Sequence, residues 1–177
     1  NISEFYTWTF TITGGKAMKL MIKQRVFSWG EKFDIYDEQG NVKYFVKGDI
    51  FSFGHKLHVY DAYDREIGGV YEKLLTFPKQ FEIVLDGAVR GYITKQFTFF
   101  WQKYDVDFNG WHVDGDFLDW EYDVFSGSRP IIHISKQWLS WGDTYIIDIE
   151  NPDDEIMGLM LVLAIDAANC DHNNNNH

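Results

Sequence analysis

K-Q-R-V-F-S-W-G-E-K-F-D-I-Y-D, Lys23 to Asp37, is followed 24 residues later by K-G-D-I-F-S-F-G-H-K-L-H-V-Y-D, Lys47 to Asp61. Phe27 matches Phe51, Ser28 matches Ser52, Trp29 matches Phe53, Gly30 matches Gly54 and Tyr36 matches Tyr60. Further copies follow: L-L-T-F-P-K-Q-F-E-I from Leu74 to Ile83, and Q-W-L-S-W-G-D-T-Y-I-I-D from Gln137 to Asp148, with two looser ones between them. Each copy carries an aromatic or leucine two residues ahead of Ile or Val. The pairs are Phe33/Ile35, Leu57/Val59, Phe81/Ile83, Tyr104/Val106, Tyr122/Val124 and Tyr145/Ile147. Their first members lie 24, 24, 23, 18 and 23 residues apart, so most of the chain is one unit written six times.

Inside a unit apolar residues alternate with polar ones, as in Phe33-Asp34-Ile35-Tyr36-Asp37, the period of a strand with one buried face. Gln39-Gly40-Asn41, Asp86-Gly87, Asn109-Gly110 and Ser126-Gly127 then supply tight turns. A unit of strand, turn and strand is too short for a propeller blade and has the wrong leucine spacing for a leucine-rich repeat. Six units give about twelve strands, and an antiparallel meander of that length buries its edges by curling shut. The sequence therefore predicts a mainly β protein built as a closed antiparallel β-barrel.

Asn151 to Asn169, N-P-D-D-E-I-M-G-L-M-L-V-L-A-I-D-A-A-N, predicts a helix over about 152–168. Asn151 can cap it, Pro152 suits the first helical position, and Asp153, Asp154 and Glu155 complement the positive end of its dipole. From Ile156 to Ala168 only Asp166 is charged, so the helix is apolar all round and must be surrounded. It falls short of the roughly 20 apolar residues that span a bilayer. Twelve strands leave room inside a barrel for one helix, which is where this segment is expected.

The chain has 177 residues, a net charge of -11, an aromatic content of 18% and one cysteine, Cys170. Nucleic acid is excluded as a partner by the acidic balance, which also opposes general adsorption to anionic lipid unless a local basic patch exists. A single cysteine fits a reducing compartment, and no leader opens the sequence, so a cytoplasmic location is expected. Asn1 to Ala17 reads as an N-terminal extension whose Trp8, Phe10 and Ile12 alternation would make an added strand or which is foreign to the domain. A single domain over 18–169 and a disordered polar tail over 170–177 complete the expected organisation.

The F-S-W-G and F-S-F-G hairpin repeats, I-S-K-Q-W-L-S-W-G-D-T-Y, and a terminal helix ending L-V-L-A-I-D-A together resemble the bacterial branch of the LURP-one-related family. That family is grouped with tubby C-terminal domains and phospholipid scramblases, and the likeness runs from Met18 to about Ala168. The resemblance implies a twelve-stranded barrel around a central C-terminal helix. For function it implies an uncharacterised binding or scaffold protein, or alternatively recognition of a phosphoinositide-like lipid headgroup.

Candidate sites are sparse. D-V-D-F-N-G-W-H-V-D-G-D, Asp105 to Asp116, matches half of a calcium loop, with Asp105, Asp107, Asn109, Gly110 and a final Asp116. The same residues read better as a hairpin around an Asn-Gly turn, leaving Asp105, Asp107, Asp114, Asp116 and Asp119 as a weak acidic cation candidate. Asp166 is a buried-carboxylate candidate near a helix C-terminus, where a negative charge needs compensation. His55 and His58 would fall on opposite faces of a strand. No catalytic motif, cofactor fingerprint or activated cysteine is present, so a non-enzymatic protein with no cofactor is expected. The cations Lys43, Lys47, Lys73, Lys79, Arg90, Lys95 and Lys103 are spread over several repeats without a visible cluster. Trp29, Phe53, Phe77, Phe100 and Trp141 are expected as packed wedges between wall and helix or at the rims.

Overall fold

A computed structural model describes residues 17–23, 32–49, 53–98, 101–139 and 142–169. The extension before Ala17, the tail from Cys170, and Trp29, Phe100 and Trp141 lie outside the described residues. Twelve strands form one sheet: β1 (Met18–Ile22), β2 (Lys32–Asp37), β3 (Val42–Gly48), β4 (Lys56–Asp61), β5 (Glu66–Glu72), β6 (Gln80–Leu85), β7 (Ala88–Lys95), β8 (Tyr104–Val106), β9 (Trp111–Asp116), β10 (Glu121–Ser126), β11 (Arg129–Leu139) and β12 (Gly142–Ile149). Every pairing is antiparallel, and the order is β8-β7-β6-β5-β4-β3-β2-β1-β12-β11-β10-β9.

The six hydrophobic pairs occupy the even-numbered strands. Leu57/Val59, Phe81/Ile83, Tyr122/Val124 and Tyr145/Ile147 are all buried, and Phe33 and Val106 pack against the core beside buried Ile35 and Tyr104. In the hairpins β2–β3, β4–β5, β6–β7 and β10–β11 the register slips just after the pair's second member, at Ile35/Tyr36, Val59/Tyr60, Ile83/Val84 and Val124/Phe125. A bulge recurring at one place in each hairpin adds twist and bends the wall, which is how a flat meander becomes a barrel.

The barrel is nearly closed, and the departure from a six-hairpin ring is specific. Asn109 and Gly110 form the expected turn with φ of 55° and 64°, closed by Trp111 N–H donating to Phe108 O at 3.1 Å. Beyond that turn β8 bonds to β7 and β9 to β10, with no ladder joining β8 and β9 among the described residues. Aromatic rings line this seam instead: Tyr104 against Phe117 at 4.9 Å and Phe108 against Trp111 at 5.7 Å. The sixth unit takes its second strand from the other end of the chain, as β12 pairs with β1 from Met18↔Ile149 to Ile22↔Tyr145.

A 3-10 turn, Pro152–Asp154, leads into α1 (Glu155–Asn169), and the Asn151 side chain accepts from Asp153 N–H at 3.2 Å as the sequence predicts. All of α1 except Ile156 and Met157 is buried, and its core residues share one cluster with the inward face of the wall. The meander puts even-to-odd connections and the start of α1 at one end of the barrel, the turn end. The odd-to-even connections and the helix C-terminus lie at the other, the loop end. Lys43 Nζ meets Glu155 Oε1 at 2.7 Å at the turn end, and Lys95 Nζ donates to Ala168 O at 2.8 Å at the loop end, where a cation suits the helix dipole.

Candidate functional site

The acidic residues read as a cation candidate are separated by their local tasks. Asp107 accepts from the backbone N–H of Tyr92, and Asp105 from the Gln96 amide. Asp116 Oδ1 accepts from Leu118 N–H at 3.0 Å and Asp119 N–H at 3.2 Å, closing the β9–β10 turn. Asp114 sits opposite Asp123 on β10. Among the described residues no three His, Cys, Asp or Glu side chains form a metal-holding group. Asp166 is 8% exposed inside the barrel, and its charge adds to burial in pushing the Tyr122 hydroxyl well above its ordinary pKa.

The two histidines go to separate clusters. His58 Nδ1 lies 2.8 Å from Glu66 Oε1 on the outer wall beside Tyr71, whose hydroxyl is pushed up to about 12 by burial and then by Glu66. His55 lies at the loop end, its ring over Phe81 and its Nδ1 2.8 Å from Glu72 Oε2.

The rim aromatics behave differently from the packed wedges that the sequence predicts. Phe53 and Phe77 are at the rim but each is 86% exposed, and Leu75, Phe97 and Trp101 at the same end are exposed as well. These side chains come from the segment before β4, the β5–β6 loop and the β7–β8 loop, all at the loop end. The segments are tied together: Glu72 N–H donates to His55 O at 2.7 Å, Lys95 N–H to Lys79 O at 2.9 Å, and the Phe77 and Phe97 rings are 6.2 Å apart. The Pro78 that replaces the repeat's glycine follows a cis bond from Phe77.

Four of the scattered cations belong to the loops of this rim. Residues 73–79, K-L-L-T-F-P-K, and 95–103, K-Q-F-T-F-F-W-Q-K, contain Lys73, Lys79, Lys95 and Lys103 and no acid, in a chain of net charge -11. Lys73 and Lys79 also reach Glu82 at 3.8 Å and Glu72 at 3.0 Å behind the rim. The remaining cations stay elsewhere: Lys43 and Arg90 at the turn end, and Lys47 across the Phe45 and Tyr60 rings on the outer wall.

At the turn end an open cleft of about 390 Å³ runs between the β2–β3 and β4–β5 turns, lined by Met18, Asp37, Lys43, Tyr44, Asp61 and Tyr63 among others. Asp37 and Asp61 each use Oδ1 to close their own turn, to Asn41 N–H at 2.8 Å and Arg65 N–H at 3.0 Å. The Asn41 N–H is the main cause that holds the Asp37 carboxyl below its ordinary pKa. Burial, then Glu155, pushes the Tyr44 hydroxyl up. These groups are committed to the fold.

Sequence reasoning expected these aromatics packed, between wall and helix or at the rims, and so missed their exposure. The absence of acid from two loops of an acidic protein was the signal available.

A relative in Bacillus subtilis (strain 168), the uncharacterized protein YxjI, is 30% identical over 149 residues, covering 84% of this chain and 92% of the relative. An X-ray structure of a protein from Arabidopsis thaliana superposes with a TM-score of 0.59 at 15% identity over 85% of this chain and 90% of that one, a likeness of fold. The sequence profile of LURP-one-related proteins matches residues 18–166. With the repeats, the barrel and most of the central helix falling inside that match, the chain belongs to the LURP-one-related family.

Proposed function

We propose that this protein is a non-enzymatic binding protein that docks its loop end onto an anionic membrane interface in the cytoplasm. The observation that carries the reading is the coincidence of exposed Phe53, Leu75, Phe77, Phe97 and Trp101 with two acid-free, lysine-bearing loops. The tips project from the end of a barrel, and convex apolar tips suit a fluid acyl boundary, which needs no preformed complement. Lys73 and Lys103, the rim lysines not bonded to Ala168 or Glu72, are the ones to meet anionic headgroups, each contributing about 1 kcal/mol near such a surface. Docking needs no transmembrane segment, and no described helix is long and apolar enough to cross a bilayer. This differs from a headgroup pocket, because the lysines flank a protrusion. The interior, filled by α1, takes no part.

Sedimentation with phosphatidylserine/phosphatidylcholine vesicles tests the proposal. Binding is expected to exceed that to phosphatidylcholine alone and to fall as salt rises. Burying one Leu or Phe side chain is worth about 1.5–3 kcal/mol. The pair Leu75→Ser and Phe77→Ser is therefore expected to lower the partition at least about tenfold even with partial insertion. Equal partition of wild type and the double variant would overturn the reading and leave a protein partner at the rim as the alternative.

A further inference from the structure

We propose that Glu72 is the positioning residue of the apolar rim, and that its carboxylate clasps two loops into one presenting surface. The proposal rests on the rim being the docking surface, and it stands on the geometry of the last residue of β5. Glu72 Oε2 accepts from His55 N–H at 2.9 Å and lies 2.8 Å from His55 Nδ1, while Oε1 meets Lys79 Nζ at 3.0 Å. One carboxylate thus holds the segment carrying Phe53 and the far end of the loop carrying Leu74, Leu75 and Phe77. Its side chain is 16% exposed, like that of His55 at 18%, so water competes little for these bonds.

The neighbouring backbone is shaped for this closure. Gly54 has φ of +80° and passes so near the other loop that a Cβ would lie 2.8 Å from Leu74 Cδ2 and 3.5 Å from Glu72 Cβ. Thr76 Oγ1 donates to Lys73 O at 2.9 Å, bracing the loop from within. The three clasp residues sit at the loop end and reach the core at Phe81, whose ring carries the His55 ring and lies 5.6 Å from Lys79 Nζ, so Glu72→Gln changes no core side chain.

Glu72→Gln keeps the shape and one acceptor but removes the charge that binds Lys79 and His55. Lys79→Met removes one arm alone. Hydrogen exchange at the His55 and Lys73 amides, thermal melting and vesicle partition are measured together. Glu72→Gln is expected to speed exchange at the His55 amide by about tenfold, as for loss of one charge-assisted bond, and to reduce vesicle partition similarly. Lys79→Met is expected to produce the same pattern at smaller size, with the melting temperature of both variants near wild type. Unchanged His55 exchange in Glu72→Gln would overturn the clasp, as would a global melting loss that accounts for all of the exchange. A wild type that ignores vesicles while Glu72→Gln still loosens His55 would sink the membrane reading and keep the clasp.

Discussion

Gly68 lies on β5 beside Met160 of the central helix. A Cβ there would run into the Val84 carbonyl oxygen and come within 3.1 Å of the Met160 methyl group. Backbone oxygen on β6 cannot move without breaking the ladder, so Gly68→Ala is expected to cost about 1–3 kcal/mol in urea unfolding, the range for overpacked cores. Glycine at the Gly87 turn has φ of +72° with no atom near a would-be Cβ, so its role is conformational instead. His133, on the outer face of β11, has Nδ1 2.8 Å from Asp123 Oδ1 and Nε2 3.5 Å from Glu121 Oε1. The Asp123 hydrogen bond raises its pKa above the ordinary 6.5, overcoming partial burial, with Asp123, Glu121 and Asp148 charges adding. A raised folded-state pKa gives stability that is complete below the unfolded value and is lost as pH rises through the folded one. His133→Gln is therefore expected to lose more unfolding free energy against wild type at pH about 5.5 than at pH about 8.5. A gap that does not narrow with rising pH would refute this assignment.

Individual elements show why the wall was readable in advance and its curvature was not. Leu57 and Val59 point inward together because a strand alternates, so period two alone places them. The bulges after Ile35, Val59, Ile83 and Val124 add a residue on one strand against its partner, and no residue type at these four positions announces them. The short β8, three residues long, looked like half a hairpin from Tyr104 and Val106. Asp107, which binds the Tyr92 amide, instead holds the chain against β7. The helical segment expected over about 152–168 opens as a 3-10 turn, Pro152–Asp154, before α1 at Glu155–Asn169, and its start was legible because it is written in side chains: Asn151 caps, Pro152 begins, three acids follow. Asn151→Ala is expected to cost about 1 kcal/mol by denaturant midpoint, the usual value of a cap. A loss below about 0.3 kcal/mol would mean that burial alone fixes the helix start.

At the scale of the molecule the two ends of the barrel differ in polarity. Asp37, Asp61, Asp64 and Asp86 lie in the turns at the turn end, with Glu150, Asp153 and Asp154 around the helix start, and Arg65, Arg90 and Arg129 pair with Asp61, Asp86 and Glu150 there. The loop end carries the acid-free lysine segments and the exposed apolar tips. That arrangement escaped a reading of the sequence because Lys73 and Lys103 are 30 residues apart and come to one end of the barrel only through the meander. The strand order has another consequence. The first and last strands, β1 and β12, pair inside the sheet, while β8 and β9 from mid-chain form the two borders of the seam. Connectivity at Asn109–Gly110 is thus carried by a turn and not by a ladder, so a cut there severs no strand pairing. Residues 1–109 and 110–177, produced as two separate polypeptides, are expected to find each other through β1, β12 and α1 and to restore the far-ultraviolet spectrum of the intact protein. Failure of the two pieces to co-purify would show that the seam turn is needed for assembly. Success would make this barrel a natural two-part reporter, with its break point already set by the fold.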